Sequence, residues 1–275
     1  MIHSLVTDTV TRNVVREWHR TRKGAQSTAE RVSSGNRITE AGDDAAALGV
    51  AENLEAFERS SRVALKNAND GLSVVAVSEG AAREVQGILK RMRELATQAS
   101  SEALGQNERL YANEEWKTHE REIERLARTT KFNGIATSNG SNASMAIQVG
   151  ARNTVNDKVR IKMVDLRKTT VLGATGSNPL GNSTLAQRAL TRIDRAMDKL
   201  NKQVSGLGAH YNQLNAAVSS IENSVVNHQA SQMRIRDADM AHETAEMAKQ
   251  EILGKAALSA LSQSRLQKQQ LLSLI

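Results

Sequence analysis

The sequence predicts a mainly α protein made of long antiparallel coiled-coil helices with one small β-hairpin. Three observations support this prediction. The 275 residues include a single proline, Pro179, so long helices can run without interruption. Small and apolar residues recur at alternating steps of three and four in both halves of the chain, as in a coiled-coil seam. Between the halves, residues 131–182 are rich in Gly, Ser and Asn.

The first seam predicts a helix over residues 44–104. Many of its members are Ala, Ser or Gly, which indicates close approach of a second helix. The seam comprises Val50, Leu54, Phe57, Ser61, Ala64, Ala68, Gly71, Val75, Ser78, Ala82, Val85, Leu89, Met92, Ala96 and Ala99. Asp43 and Asp44 precede it, where carboxylates cap free backbone amides and suit the positive end of a helix. Gly105 is expected to close the helix.

A helix is expected over residues 107–129, and the second seam predicts a helix over residues 183–235. The members of the second seam are Ala189, Ile193, Ala196, Leu200, Gln203, Leu207, His210, Leu214, Ala217, Ile221, Ser224, His228, Ser231 and Ile235. Two matched seams in one chain suggest an antiparallel pair, with the middle segment capping one end.

The middle segment alternates in polarity as a strand does. Met145, Ile147 and Val149 alternate with polar or small residues, and the stretch from Val159 to Met163 does the same. Residues 150–158 between them read as a hairpin loop. The predicted β element is too small to form a domain of its own.

The two ends of the chain are amphipathic at helical spacing. Residues 1–35 begin with Ile2, Leu5 and Val6, and residues 240–275 end with Leu274 and Ile275. Neither segment has an obvious partner in the middle of the chain, and alone each is a marginal helix. We expect the two segments either to pair with each other or to be buried against other copies.

Composition excludes several functional classes. The chain has no cysteine, which rules out disulfides, thiolate metal sites and cysteine nucleophiles. The net charge is +7, but acidic and basic residues are interleaved, as at Arg121 and Glu122, and aromatic stacking platforms are missing. We therefore expect no nucleic-acid partner. No apolar stretch approaches the roughly 18 residues of a membrane span, so we expect no membrane insertion.

We find no enzyme signature in the sequence. A Gly-rich phosphate loop, a serine elbow and a metalloprotease motif are all missing, and the six histidines lack metal-ligand spacing. We predict no catalytic residues, no metal and no cofactor. His210 and His228 fall on the second seam and are expected to pack among helices. Asp43 and Asp44 are interpreted as a loop anchor and helix cap rather than catalytic carboxylates.

Six motifs in a fixed order resemble those of bacterial flagellins. Each is weak alone, but together they are specific and span nearly the whole chain. They are Glu30–Ile38 (ERVSSGNRI), Asp43–Ala46 (DDAA), Asn67–Ser73 (NANDGLS), Lys131–Gly134 (KFNG), Ile147–Ala151 (IQVGA) and Arg234–Ala241 (RIRDADMA).

The resemblance implies a structural subunit of the flagellar filament, which self-assembles into an extracellular helical propeller. Residues 1–40 and 236–275 would form inner-tube helices, and residues 41–235 the surrounding shell, without large outer domains. The family is exported through the flagellar type III apparatus without a cleaved signal. Implied partners are other flagellin subunits in a homopolymer, an export chaperone, a cap protein and the hook-associated junction proteins.

The resemblance also suggests site residues. Those expected at subunit contacts are Val50, Leu54, Phe57, Leu89, Met92, Leu200, Leu207, Leu214, Ile221, Leu258 and Leu261. Arg91, Leu95 and Glu115 match the segment through which a vertebrate Toll-like receptor senses many flagellins. Packing between neighbouring protofilaments is the favoured interpretation of these three residues.

Two other functional classes remain open besides an enzyme. A hook–filament junction protein shares the plan of terminal helices, although the Arg234–Ala241 and Lys131–Gly134 motifs favour flagellin. A secreted helical effector or adhesin would bind host partners and would not need both ends of the chain to assemble.

Overall fold

The computed structural model describes residues 9–272, which form six α-helices and four short strands. This confirms the predicted mainly α class. Ile2, Leu5, Val6, Leu274 and Ile275, predicted to be part of the apolar ends, lie outside the described residues. Within that part, two compact units are present: residues 9–57 with 227–272, and residues 58–226. The predicted division into inner tube and shell, with residues 1–40 and 236–275 in the tube, is a separate one and stays a prediction.

The helices account for most of the described chain, and no helix within residues 9–272 is both long and apolar enough to span a membrane. They are α1 (Thr9–Ser34), α2 (Ala41–Ala99), α3 (Gln106–Thr129), α4 (Lys168–Val171), α5 (Ser183–Arg236) and α6 (Met240–Leu272). The backbone of α2 leaves the helical conformation at Asp44, where φ is −163° and ψ is 92°.

Gly105 begins α3 instead of closing α2, so its predicted role was wrong. Helix α2 ends at Ala99, and the amide of Leu104 donates to the Ser101 carbonyl to close a separate turn (3.3 Å). The amide of Gly105 donates to Oε2 of Glu108 (2.7 Å), as a residue just before a helix does when it is capped by the third residue of the first turn.

In the second unit, α2 and α5 run antiparallel. Gln86 bonds to Asn201 (2.8 Å), and seven residues further along α2, Arg93 bonds to Asp194 (2.9 Å), seven residues earlier in α5. Between such contacts the two seams form an apolar core, which α3 and the β segment complete. Its largest fully buried side chains are Leu89, Met92, Trp116, Ile123, Ile161, Leu166, Leu172, Leu180, Ile193, Leu200, Leu207 and Leu214.

The predicted hairpin is present as strands Ser144–Gln148 and Lys158–Lys162, here β3 and β4. They pair antiparallel, with Met145 opposite Ile161. Ile147 packs close to α2, where a Cβ added to Gly71 would lie 3.2 Å from Cγ1 of Ile147 and 3.3 Å from Cδ1 of Leu214. Gly71 therefore allows the hairpin, α2 and α5 to approach one another closely.

A second hairpin precedes it, which the sequence analysis did not predict. Strands β1 (Lys131–Phe132) and β2 (Ile135–Ala136) pair antiparallel across Asn133 and Gly134. Both turn residues have positive φ, 47° and 77°, the conformation that the two central residues of a type I′ turn require.

Candidate assembly surface

Helices α1 and α6 form an antiparallel pair in the first unit. The Thr11 hydroxyl lies 2.9 Å from that of Ser264 near one end of the pair. Near the other end, Nη1 of Arg31 lies 3.3 Å from Oε1 of Glu243, whose side chain is largely buried. The sequence left two arrangements open for the terminal segments, pairing with each other or burial against other copies. In the described residues, α1 and α6 pair with each other.

Polar and small residues contribute much of the contact between α1 and α6, beside partly buried apolar residues such as Val14, Trp18 and Leu261. Thr21 and Thr28 of α1 are buried. A Cβ added to Gly24 would lie 3.3 Å from the Gln250 side chain, and one added to Gly254 would lie 3.9 Å from Cγ2 of Thr21. Since this stripe of α6 is occupied by such residues, most large apolar side chains of α6 lie elsewhere on the helix.

Among the side chains of α6 that the structure describes, six large apolar ones are exposed, between 37% at Met247 and 67% at Ile252. We call them the apolar surface of α6: Met240, Met247, Ile252, Leu253, Leu258 and Leu266. They do not form one stripe, because Met240 and Leu258 lie on one line along the helix while Ile252 and Leu253 lie about a third of a turn away on either side. A helix that is apolar on several sides is normally buried in a larger structure.

The segments that join α1 to α2 and α5 to α6 bond to each other. The amide of Ala238 donates to the Gly35 carbonyl (2.9 Å), and the amide of Arg37 donates to the Arg236 carbonyl (2.6 Å). The Arg37 guanidinium also donates to the Ile235 carbonyl (2.8 Å). These bonds hold the end of α1 and the start of α2 against the end of α5 and the start of α6.

Ion pairs reinforce the same joint. Nη1 of Arg236 lies 3.4 Å from Oε1 of Glu52 and 3.3 Å from Oε2 of Glu55. The rings of Phe57 and His228 stack with centroids 6.2 Å apart. The end of α5 is thus attached to the beginning of α2 within the first unit.

Asp43 and Asp44 lie at the start of α2. Oδ2 of Asp43 accepts hydrogen bonds from the backbone amides of Thr39 (3.1 Å) and Glu40 (3.4 Å). Those bonds hold the pKa of the Asp43 carboxyl below its usual value of 3.8. Oδ1 of Asp44 accepts from the Ala47 amide (2.9 Å), in the geometry of an N-cap residue. The geometry is that of a loop anchor and a helix cap.

The residues expected at subunit contacts fall into two groups. Leu89, Met92, Leu200, Leu207, Leu214 and Ile221 are buried inside the chain. A buried side chain has little surface to offer a second subunit, so we assign these six to the chain's own core. Val50 and Leu258 are about half exposed, and Leu54, Phe57 and Leu261 are partly buried. These five residues retain surface for contacts between subunits.

The three residues matched to a receptor contact are also in different environments. Nε of Arg91 lies 2.8 Å from Oε1 of Glu115, and this hydrogen bond lowers the pKa of the Glu115 carboxyl. Leu95 is only 3% exposed and belongs to the core. Arg91 and Glu115 therefore form a surface pair, while Leu95 lies beneath the surface.

Sequence reasoning missed a polar cluster in the second unit. Trp116 is fully buried, and its Nε1–H donates to Oε1 of Glu120 (2.9 Å). Oε2 of Glu120 lies 3.3 Å from Nζ of Lys168, which attaches α4 to α3. The spacing of Trp116 and Glu120 along a helix was visible in the sequence, but Lys168 is distant in the chain and gave no signal.

Two family models match the chain at its two ends. The N-terminal helical region of bacterial flagellin matches residues 6–143, and its C-terminal helical region matches residues 190–275. The chain belongs to the bacterial flagellin family. Both matched regions include a terminal helix, and together they cover most of this flagellin.

Relatives agree with this assignment, and a solved structure agrees with the fold. A flagellin of Halalkalibacterium halodurans is 36% identical over 250 residues, covering 91% of each chain. The flagellar filament 33 kDa core protein of Treponema phagedenis is 32% identical, covering 93% of each chain. The crystal structure of Bacillus cereus flagellin is 24% identical and matches with a TM-score of 0.51. The match covers 57% of this flagellin and 88% of the Bacillus cereus chain, and it supports the fold.

Proposed function

We propose that this flagellin is the structural subunit of a flagellar filament and assembles through its terminal helices. Family membership supports the filament role, and the apolar surface of α6 supports the mode of assembly. Copies would join by heterologous contacts that do not close on themselves and so generate a helical polymer. The filament would act mechanically, as an extracellular propeller.

Burial of the apolar surface of α6 is the proposed driving force. Apolar surface gains about 25 cal/mol for each Å² removed from water. Six large side chains between 37% and 67% exposed leave much of that gain unrealised in a single chain. Contacts between subunits would supply this free energy of burial, in proportion to how completely neighbouring copies cover α6.

We assign residues 1–40 and 236–275 to an inner tube and residues 41–235 to the surrounding shell. The antiparallel α1–α6 pair supports this assignment, since it forms one element that could pack against copies of itself. The hydrogen bonds of Gly35 with Ala238 and of Arg37 with Arg236 would join the two terminal segments where the tube begins.

Partners and export follow from the family and form part of the proposal. We infer export through the flagellar type III apparatus, with a chaperone before assembly and with the cap and hook-associated junction proteins at the ends of the filament. For a Toll-like receptor, Arg91 and Glu115 have exposed side chains that could be contacted. Leu95 would take part only if the helix surface opened, which favours a packing role for that residue.

Electron microscopy tests the proposed function. Purified protein is imaged by negative stain before and after addition of ammonium sulfate, which strengthens apolar burial, and of short filament seeds. Long uniform filaments are the expected result. Persistent monomers, with both ends confirmed by mass, would favour a junction protein that needs a partner flagellin.

A deletion separates the filament role from that of a secreted effector or adhesin. Removing residues 246–275 takes away most of α6 and, with it, Ile252, Leu253, Leu258 and Leu266. Polymerisation should disappear while residues 58–226 remain folded, as seen by circular dichroism and a cooperative thermal transition. Filaments that still form without residues 246–275 would contradict assembly through α6.

A further inference from the structure

A cavity of about 230 Å³ lies in the second unit, between the end of β4 and the middle of α5. Three lysines line it: Lys162 at the end of β4, and Lys199 and Lys202 on α5. None of its eight lining residues is acidic. All three lysines are exposed, and three cationic residues around one hollow give it a positive potential.

No carboxylate among the described residues neutralises these lysines. Within residues 9–272, none of the three forms an ion pair at 4.0 Å or less. Among these three lysines, and within the described residues, Lys199 alone forms a hydrogen bond through Nζ, which donates to the Thr170 carbonyl (2.9 Å). Elsewhere in the unit, basic side chains such as Arg93 and Arg128 bond to a nearby carboxylate. Lys66 and Lys90 of the same unit also form no ion pair within the described residues, so the cavity is distinguished by having three such lysines around one hollow.

Hydrogen-bond donors and apolar contacts accompany the lysines. Nε2 of His210 accepts from the backbone amide of Lys162 (3.2 Å), so the neutral ring carries its proton on Nδ1, where it can donate. Met163 and Val164 line the cavity and are almost fully buried. The lining thus combines charge, directional donors and apolar surface, as small-molecule sites do.

Gly206 lines the cavity without a side chain. It lies inside α5, where glycine is a poor helix former. A Cβ built on it would meet no atom within 4 Å, so packing within the chain does not require glycine. It lines the cavity on the same stripe of α5 as Lys199, Lys202 and His210. A larger side chain at this position would lie beside the cavity, one turn from both Lys202 and His210.

We propose that this cavity is a binding site for a small anion that carries two or more carboxylate or phosphate groups. The same chemistry has two sources: a free organic anion, or acidic side chains of a neighbouring subunit in the polymer. The site goes beyond the filament function, and binding to the monomer does not depend on polymerisation.

Calorimetric titration of the monomeric full chain with citrate at constant ionic strength tests the proposal. We expect saturable binding at one site. Lys202→Met should weaken it about two- to fivefold, the range of one screened ion pair. Lys162→Met combined with Lys202→Met should weaken it further, to about tenfold. The matched control is Lys90→Met, which removes an exposed lysine of α2 that does not line the cavity.

Gly206→Leu tests whether binding depends on the open space of the cavity, because it adds a large side chain and leaves every lysine in place. It should abolish citrate binding while the thermal transition stays at or above that of the wild type, since leucine favours a helix. If Gly206→Leu does not fold, the lysine variants decide the matter. Absence of saturable binding to the wild type, or equal weakening by Lys90→Met and Lys202→Met, would overturn the proposal.

Filaments distinguish the two sources. Citrate that binds monomers but not pelleted filaments would identify carboxylates of a neighbouring subunit as the occupant in the polymer. Citrate that binds both would identify a free anion. A chain that binds citrate but does not polymerise would contradict the filament function and leave the anion site in place.

Discussion

Replacing Ile252 and Leu253 together by glutamine should prevent assembly and leave the monomer folded. Their side chains are 67% and 45% exposed, so they contribute little to packing within the chain. Glutamine has nearly the helix propensity of leucine, and exposed substitutions usually change stability by less than about 0.5 kcal/mol. The double variant therefore removes apolar surface from α6 with little effect on the helix itself.

The magnitude follows from the exposed fractions. Full burial of an Ile or Leu side chain contributes about 1.5–3 kcal/mol. Scaled by 67% and 45%, the surface that the two side chains can still bury corresponds to about 2–3 kcal/mol per subunit. Since about 1.4 kcal/mol is a factor of ten, the critical concentration for polymerisation should rise by about 30- to 150-fold.

Sedimentation of seeded reactions over a range of protein concentrations measures the critical concentration. Lys255→Gln, one turn further along α6, is the control, because it also introduces glutamine on an exposed face but removes no apolar side chain. Circular dichroism should give the same helix content for all three proteins. If the double variant and the control polymerise at the same concentration, the apolar surface of α6 does not drive assembly.

Three further predictions concern the second unit, each measured by urea unfolding of the monomer. Leu207→Ala should reduce the free energy of unfolding by about 2–5 kcal/mol, since Leu207 is 1% exposed, and a smaller loss would mean that the core collapses around the gap. Glu120→Ala leaves Nε1–H of Trp116 buried without its acceptor and should cost about 1–3 kcal/mol, whereas Glu120→Gln keeps an acceptor and should cost less; equal losses would contradict this role. Glu124 accepts hydrogen bonds from Arg128 and from the backbone amide of residue 168, which hold the pKa of its carboxyl below the usual 4.5. The ionised carboxyl therefore stabilises the folded state above the unfolded-state pKa. This stabilisation is lost as the pH falls through the folded-state pKa. Stability should therefore fall less steeply below about pH 5 in Glu124→Gln than in the wild type, and parallel pH profiles would refute the assignment.

Helical periodicity predicted which face of each long helix is apolar, and in the second unit that face is buried. Leu89 and Leu207 lie on the buried face that a step of three and four residues indicates, although both had been expected at subunit contacts. Val50 lies on the same seam and is 50% exposed. Periodicity identifies an apolar face, but it does not say whether the partner of that face belongs to the same chain.

The features that sequence reasoning missed are of two kinds. The turn at Asn133 and Gly134 has a local signal, since Asn-Gly between short apolar stretches is the commonest two-residue hairpin loop, and the β1–β2 hairpin could have been predicted. The contact of Glu120 with Lys168 depends on how α3 and the segment after β4 meet in space. The lysine-lined cavity is of this second kind, because Lys162 and Lys202 are far apart in the sequence.

The energetics of the α1–α6 pair indicate that its stability depends on assembly. Contacts within the pair include the Arg31–Glu243 ion pair and hydroxyl bonds such as that of Thr11 with Ser264, each contributing about 0–1.5 kcal/mol. The six side chains of the apolar surface of α6, about half exposed, correspond to roughly 5–9 kcal/mol once neighbouring copies cover them. Because this contribution becomes available only between subunits, the terminal helices should gain stability as the filament grows. Their protection from proteolysis should therefore rise with polymer formation, while that of residues 58–226 should hardly change.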